Sequence, residues 1–158
     1  MPYAAYVRDA TPMTPGSKRL LVIEDNDGDV FLIKRALQEN DIPAEVIVCR
    51  DGESAVRLLN SQEMESPPDA IIIDLALPRI EGLEILRKIL HRPAYVGTPI
   101  MVFTSSPSPS DKHRVELLAG ARYVQKPSGL KNFLREVAEN VKSMLAGRNK
   151  DEPGSKRT

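Results

Sequence analysis

The sequence predicts an α/β fold, a doubly wound sheet of five parallel strands with helices on both faces. Short unbroken apolar runs recur along the chain, as in Leu20-Leu21-Val22-Ile23, Ile71-Ile72-Ile73 and Ile100-Met101-Val102-Phe103, the pattern of strands covered on both sides. Segments with apolar residues at helical spacing alternate with them. Short connections between the two favour parallel pairing through right-handed crossovers.

In chain order, the first strand, Leu20 to Ile23, stops where acids begin, at Glu24-Asp25-Asn26-Asp27-Gly28-Asp29. Val30, Ile33 and Leu37 then recur at helical spacing as far as Asn40, with Asp27 or Asp29 suited to the helix start. The second strand is Ala44 to Cys49. Asp51-Gly52 opens a second helix through Ala55, Val56, Leu58 and Leu59, and a polar loop from Asn60 to Pro68 leads to the third strand, Ala70 to Ile73. That strand ends in Asp74, followed by a turn marked by Pro78 and Gly82. Leu83, Leu86, Ile89 and Leu90 mark a third helix, ended by Pro93. Pro99 introduces the fourth strand, which terminates in Thr104-Ser105-Ser106. A weak helix spans Asp111 to Ala119, and Tyr123-Val124-Gln125 forms a fifth strand that runs into Lys126-Pro127. The last helix carries Leu130, Phe133, Leu134, Val137, Val141 and Leu145 on one stripe.

A chain of 158 residues, 41% of them hydrophobic, suits one domain with short tails. Residues 18–147 are expected to form it. Residues 1–17, with Pro2, Pro12, Pro15 and Gly16, are expected to be a flexible arm, and residues 148–158 a disordered polar tail. Lysine plus arginine and aspartate plus glutamate both number 22, so no global field draws the chain to nucleic acid or anionic lipid. No run approaches the ~18 apolar residues of a membrane span, and the start lacks the apolar core of a signal peptide. The single cysteine, Cys49, has no internal disulfide partner and lies at the end of an apolar run. A cytoplasmic protein that engages neither nucleic acid nor membrane is the expectation.

In an open sheet of order 2-1-3-4-5, the flavodoxin-like order, ligands bind outside the carboxyl ends of the strands where the order reverses, between the first and third strands. Those are the two strands that end in acids. Glu24, Asp25, Asp74, Thr104 and Lys126 would therefore gather at one edge. Clustered carboxylates raise one another's pKa unless a cation offsets them, and hard oxygen ligands suit Mg²⁺. A metal and a lysine facing one aspartate suit phosphoryl transfer, with Asp74 as nucleophile and Thr104 as hydroxyl donor to a phosphoryl oxygen. A lone strand-end aspartate is more often a cap, and only the gathered partners raise Asp74 above that reading.

The set Glu24-Asp25, Asp74-Leu75-Ala76-Leu77-Pro78 leading to Gly82, Thr104-Ser105 and Lys126-Pro127 resembles the receiver domain of two-component response regulators, over roughly Lys18 to Ala146. The resemblance implies that Asp74 accepts a phosphoryl group from a sensor histidine kinase. It implies a Mg²⁺ site, in which Mn²⁺ or another divalent cation can substitute, made by Glu24, Asp25, Asp74 and the backbone carbonyl of Ala76. It further implies a switch pair, Thr104 and Tyr123, a phosphate-binding Lys126, and a cis bond before Pro127. Glu24 departs from the usual aspartate, and Ala76 removes a polar side chain often found two residues after the phosphoacceptor. The long loop before Pro68, the Pro/Ser segment after Ser106 and the Lys126-to-Leu130 ending resemble small stand-alone receivers that partner phytochrome-type sensor kinases.

Such a protein modifies only itself and is not a multiple-turnover enzyme. A symmetric homodimer through the fourth helix, fifth strand and fifth helix is expected, with Leu117, Leu118 and Met144 as candidate contacts; Phe133 is a candidate too, but its place on the main apolar stripe favours the core. Two other readings stay open: a degenerate receiver that binds partners without phosphate, and a small aspartyl-phosphate phosphohydrolase. An EF-hand fits poorly, because Val30 and Ala36 stand where its glycine and bidentate acid belong. His91 and His113 suit solvated surface positions.

Overall fold

The computed structural model describes residues 6–8, 17–61, 64, 66–118 and 120–147. Its six strands are β1 (Tyr6–Arg8), β2 (Lys18–Ile23), β3 (Ala44–Cys49), β4 (Ala70–Ile73), β5 (Ile100–Thr104) and β6 (Ala121–Gln125). The helices are α1 (Asp27–Glu39), α2 (Gly52–Asn60), α3 (Gly82–Leu90), α4 (Pro109–Leu117) and α5 (Leu130–Ala146), with a 3-10 turn at Pro93–Tyr95 that the sequence pattern does not announce.

The sheet order is β1-β3-β2-β4-β5-β6. Strands β2 to β6 are parallel and keep the expected 2-1-3-4-5 order. The edge strand β1 is an addition: Tyr6, Val7 and Arg8 pair antiparallel with Cys49, Val48 and Ile47. These three residues fall in the segment expected to be a flexible arm, and the open edge of β3 supplies the hydrogen-bonding partner that turns them into a strand. The rest of the expected arm, residues 1–5 and 9–16, and the expected tail from Arg148 onward lie outside the described residues.

Alternation along each strand divides the core in two. Leu20, Val22, Val46, Val48, Ile72, Met101 and Phe103 meet α1 and α5, with the Phe103 and Phe133 ring centroids 5.0 Å apart. Leu21, Ile23, Ile47, Ile71, Ile73, Ile100 and Val102 meet α2, α3 and Val115 of α4. This is why the strands read as unbroken apolar runs. Local chemistry sets the helix starts: the Asn26 side chain accepts from the Asp29 N–H, Asp51 from Ser54, and Ser108 from Asp111. The α1 cap is thus Asn26, and Asp27 and Asp29 are left in the first turn. Among the described residues no helix is long and apolar enough to cross a membrane.

Candidate functional site

The site lies at the carboxyl ends of β2, β4, β5 and β6. Each ladder continues one residue beyond its strand. The amide of Glu24 donates to the Cys49 carbonyl at 2.9 Å, that of Asp74 to Ile23 at 3.0 Å, and that of Lys126 to Thr104 at 2.7 Å. Three chemically active side chains are therefore held by backbone bonds to neighbouring strands, and the Asp74 bond to Ile23 crosses the point where the strand order reverses.

Glu24 and Asp74 are buried, Asp25 is exposed, and the three bring carboxylate oxygens within 4.8 Å of one another. The Lys126 ammonium lies among them, 2.8 Å from Glu24 Oε2, 3.0 Å from Asp74 Oδ2 and 2.7 Å from Asp29 Oδ2. Backbone amides take the remaining oxygens: Asn26 donates to Glu24 Oε1 and Ala76 to Asp74 Oδ1, both at 3.1 Å. Burial pushes the Glu24 carboxyl up to about 7; the hydrogen bond from Lys126 opposes that shift and the charge of Asp74 adds to it. Burial would lower Lys126, but its hydrogen bonds to Asp29 and Glu24 and the field of Asp74 hold it above the ordinary lysine range. Hard oxygen donors, crowded negative charge and one exposed ligand fit a divalent cation of the Mg²⁺ type.

The loop after Asp74 depends on Gly82. A Cβ there would lie 2.1 Å from the Asp74 carbonyl oxygen and 2.6 Å from the Leu75 Cα, and the Gly82 amide donates to the Leu75 carbonyl at 3.1 Å. Only glycine allows α3 to start this close to the strand end. Arg79, in the same turn, takes φ 71°.

Thr104 is buried at the end of β5, where its Oγ1 accepts from the Ser106 amide at 3.3 Å. It lines a cleft of about 430 Å³ together with Ala76, Glu81, Ser106, Asp111 and Arg114. Tyr123 does not touch the acids. Its hydroxyl donates to the Ser106 carbonyl at 2.6 Å, and Ser106 Oγ donates to Asp111 at 2.8 Å, so the tyrosine is tied to the loop that Thr104 begins.

The expectation for Pro127 is corrected: no peptide bond among the described residues is cis. Trans is the lower-energy form of an X-Pro bond by about 0.5–1 kcal/mol, and Lys126 reaches the acids from it. An EF-hand is excluded because Asp27 begins α1 and pairs with Arg50, while Asp29 serves Lys126. His91 and His113 are exposed, and His91 Nδ1 lies 2.7 Å from the Arg87 carbonyl oxygen. Asp29 is the site residue that sequence reading misses. Its only local signal is a first-turn acid, the ordinary helix-dipole pattern, and its partner is 97 residues away.

Comparison with known proteins agrees with this geometry. Residues 20–138 match the model of the response regulator receiver domain. The response regulator Rcp1 of Synechocystis sp. is 32% identical over 123 residues, covering 76% of this chain and 84% of Rcp1. A crystal structure of the phosphorylated cyanobacterial phytochrome response regulator RcpA superposes with a TM-score of 0.76 at 31% identity, over 85% of this chain and 98% of RcpA. The Mn²⁺-bound form of Rcp1 gives 0.75 at 29% identity, over 87% and 99%. The match over most of its length means that this chain belongs to the response regulator receiver domain family.

Proposed function

We propose that Asp74 is the phosphoacceptor of this signalling module. The observation that carries the reading is the Lys126 ammonium 3.0 Å from a buried Asp74 carboxylate oxygen, with Glu24 and Asp25 beside it. A carboxylate oxygen of Asp74 forms a bond to phosphorus as the donor's P–N or P–O bond breaks, and the leaving group takes the electron pair. Glu24, Asp25, Asp74 and the Ala76 carbonyl would hold a Mg²⁺, or a Mn²⁺ in its place, which supplies neutralisation of charge on the phosphoryl oxygens when bound. The Ala76 amide and Lys126 hold the two Asp74 oxygens in place, and Thr104 is positioned to donate its hydroxyl to a phosphoryl oxygen. The acceptor is the protein's own carboxylate, so in this reading the chain phosphorylates and dephosphorylates only itself.

The donor in this reading is a sensor histidine kinase, since receiver domains pair with them. A phytochrome-type kinase is favoured by the likeness to RcpA and Rcp1. The experiment is intact-mass measurement with acetyl phosphate. One phosphoryl group should be gained in Mg²⁺ and none by Asp74→Asn; labelling of that variant, or labelling without a divalent cation, refutes the assignment. The degenerate receiver would remain unlabelled in every condition. A phosphohydrolase would hydrolyse external phosphate esters in many rapid turnovers, whereas a receiver releases phosphate only as fast as its own aspartyl phosphate decays.

Output through protein contact, without nucleic acid, completes the reading, and the surface is that of α4, β6 and α5. Leu117 on α4 is 69% exposed and suits a two-fold contact. Met144, a candidate there, is buried in the core, as is Phe133, for which the core is the favoured placement, and Leu118 packs partly against it. Tyr123 couples this surface to the Thr104 loop. Light scattering should show a dimer that Leu117→Glu disrupts and phosphorylation alters; a monomer in all states removes this part.

A further inference from the structure

The three carboxylates around the Lys126 ammonium differ in standing. Glu24 and Asp74 belong to the group whose oxygens converge with those of Asp25. Asp29, at 2.7 Å the shortest of the three contacts, is outside that group and reaches Lys126 from the first turn of α1. Its neighbour Asp27 is engaged by Arg50, and its own backbone amide is fixed by the Asn26 side chain at 3.0 Å. The helix N-terminus keeps an anion stable there.

The assignment of Asp74 as phosphoacceptor divides these partners into two sets. Resting on it, we propose that Asp29 is a positioning residue: it anchors the Lys126 ammonium when a divalent cation takes over Glu24 and Asp74, keeping the ammonium beside the arriving phosphoryl group. Without Asp29, the carboxylates that Lys126 contacts are the ones the cation needs, and the two positive groups compete. With Asp29, the lysine keeps one carboxylate of its own, so the metal and the lysine can be satisfied together. Asp29 touches neither the phosphorus nor the leaving group and acts through Lys126.

The test uses the whole protein and Mg²⁺ alone as ligand. Calorimetric titration should show Mg²⁺ binding weakened about tenfold by Asp29→Asn, and restored to within about threefold by Asp29→Glu. In a Lys126→Met background the Asp29→Asn change should shrink to about twofold. An equal factor in both backgrounds would mean simple attraction between Asp29 and the cation, and no weakening would mean no role; either overturns the proposal. A spectroscopic readout is independent of affinity. At saturating Mg²⁺ the Lys126 ammonium should remain a slowly exchanging NMR signal in the parent protein and disappear in Asp29→Asn. Its persistence in that variant overturns the anchor. The phosphoacceptor assignment is judged separately, by the mass change at Asp74.

Discussion

Glu24 concentrates the cost of assembling this site in one side chain. Its carboxyl is buried, and its pKa is raised from 4.5 to about 7. Between those values the folded protein holds a proton that the unfolded chain has released. The unfolded state then binds fewer protons, and stability falls as pH rises through this window. The difference corresponds to about 3 kcal/mol at 1.36 kcal/mol per pKa unit. Lys126, shifted upward from 10.5, contributes stability that is fully present below that value and does not enter the window. Urea denaturation of the metal-free protein at pH 5 and pH 8 should show Glu24→Gln gaining on the parent protein by about that amount as pH rises. Parallel pH profiles for the two proteins would show that Glu24 is not the group titrating. The acids at strand ends were legible residue by residue, because apolar runs that stop in Glu24-Asp25 and Asp74 leave few other places for them. Asp29 was not, since contacts across the fold are invisible to local spacing.

The elements were legible for a related reason. A strand buried on both faces needs no knowledge of its neighbours to be recognised, and Ile71-Ile72-Ile73 serves both halves of the core at once. Three-residue β1 is the opposite case: Tyr6-Val7-Arg8 has no pattern of its own and exists because β3 presents an edge. The weak helix α4 falls between these limits, with Val115 its only buried residue, and its start was placed two residues late because Pro109 and the Ser108 cap precede the acid that suggested it. The junction of β4 and α3 depends most on a single residue. Gly82→Ala would force a methyl group into the Asp74–Leu75 backbone, where no flexible side chain can yield. The expected loss is about 1–3 kcal/mol, with impaired Mg²⁺ binding because the displaced backbone carries Asp74. A variant whose urea midpoint and Mg²⁺ affinity both match the parent would contradict the close approach.

At the scale of the whole molecule, the sheet joins the amino-terminal segment to the functional edge. β1 covers Ile47 to Cys49, and the Cys49 carbonyl holds the Glu24 amide. Removing residues 1–8 should lower stability by roughly 1–2 kcal/mol, on the scale of a few net backbone hydrogen bonds, and promote concentration-dependent association through the bared β3 edge. Denaturation and light scattering of the shortened protein decide it, and an unchanged midpoint with no association would show that β1 is dispensable. The 2-1-3-4-5 order itself was legible from strand and helix alternation, whereas the addition at its edge was not. The amides of Glu24, Asp74 and Lys126, each bonded to an adjoining strand, also give the site a kinetic signature. In deuterated water these three should exchange on the slow timescale of the sheet interior, unlike the residues of the adjoining turns, because their release requires neighbouring strands to part. Arrival of a cation or a phosphoryl group then rearranges side chains over a backbone that hardly opens.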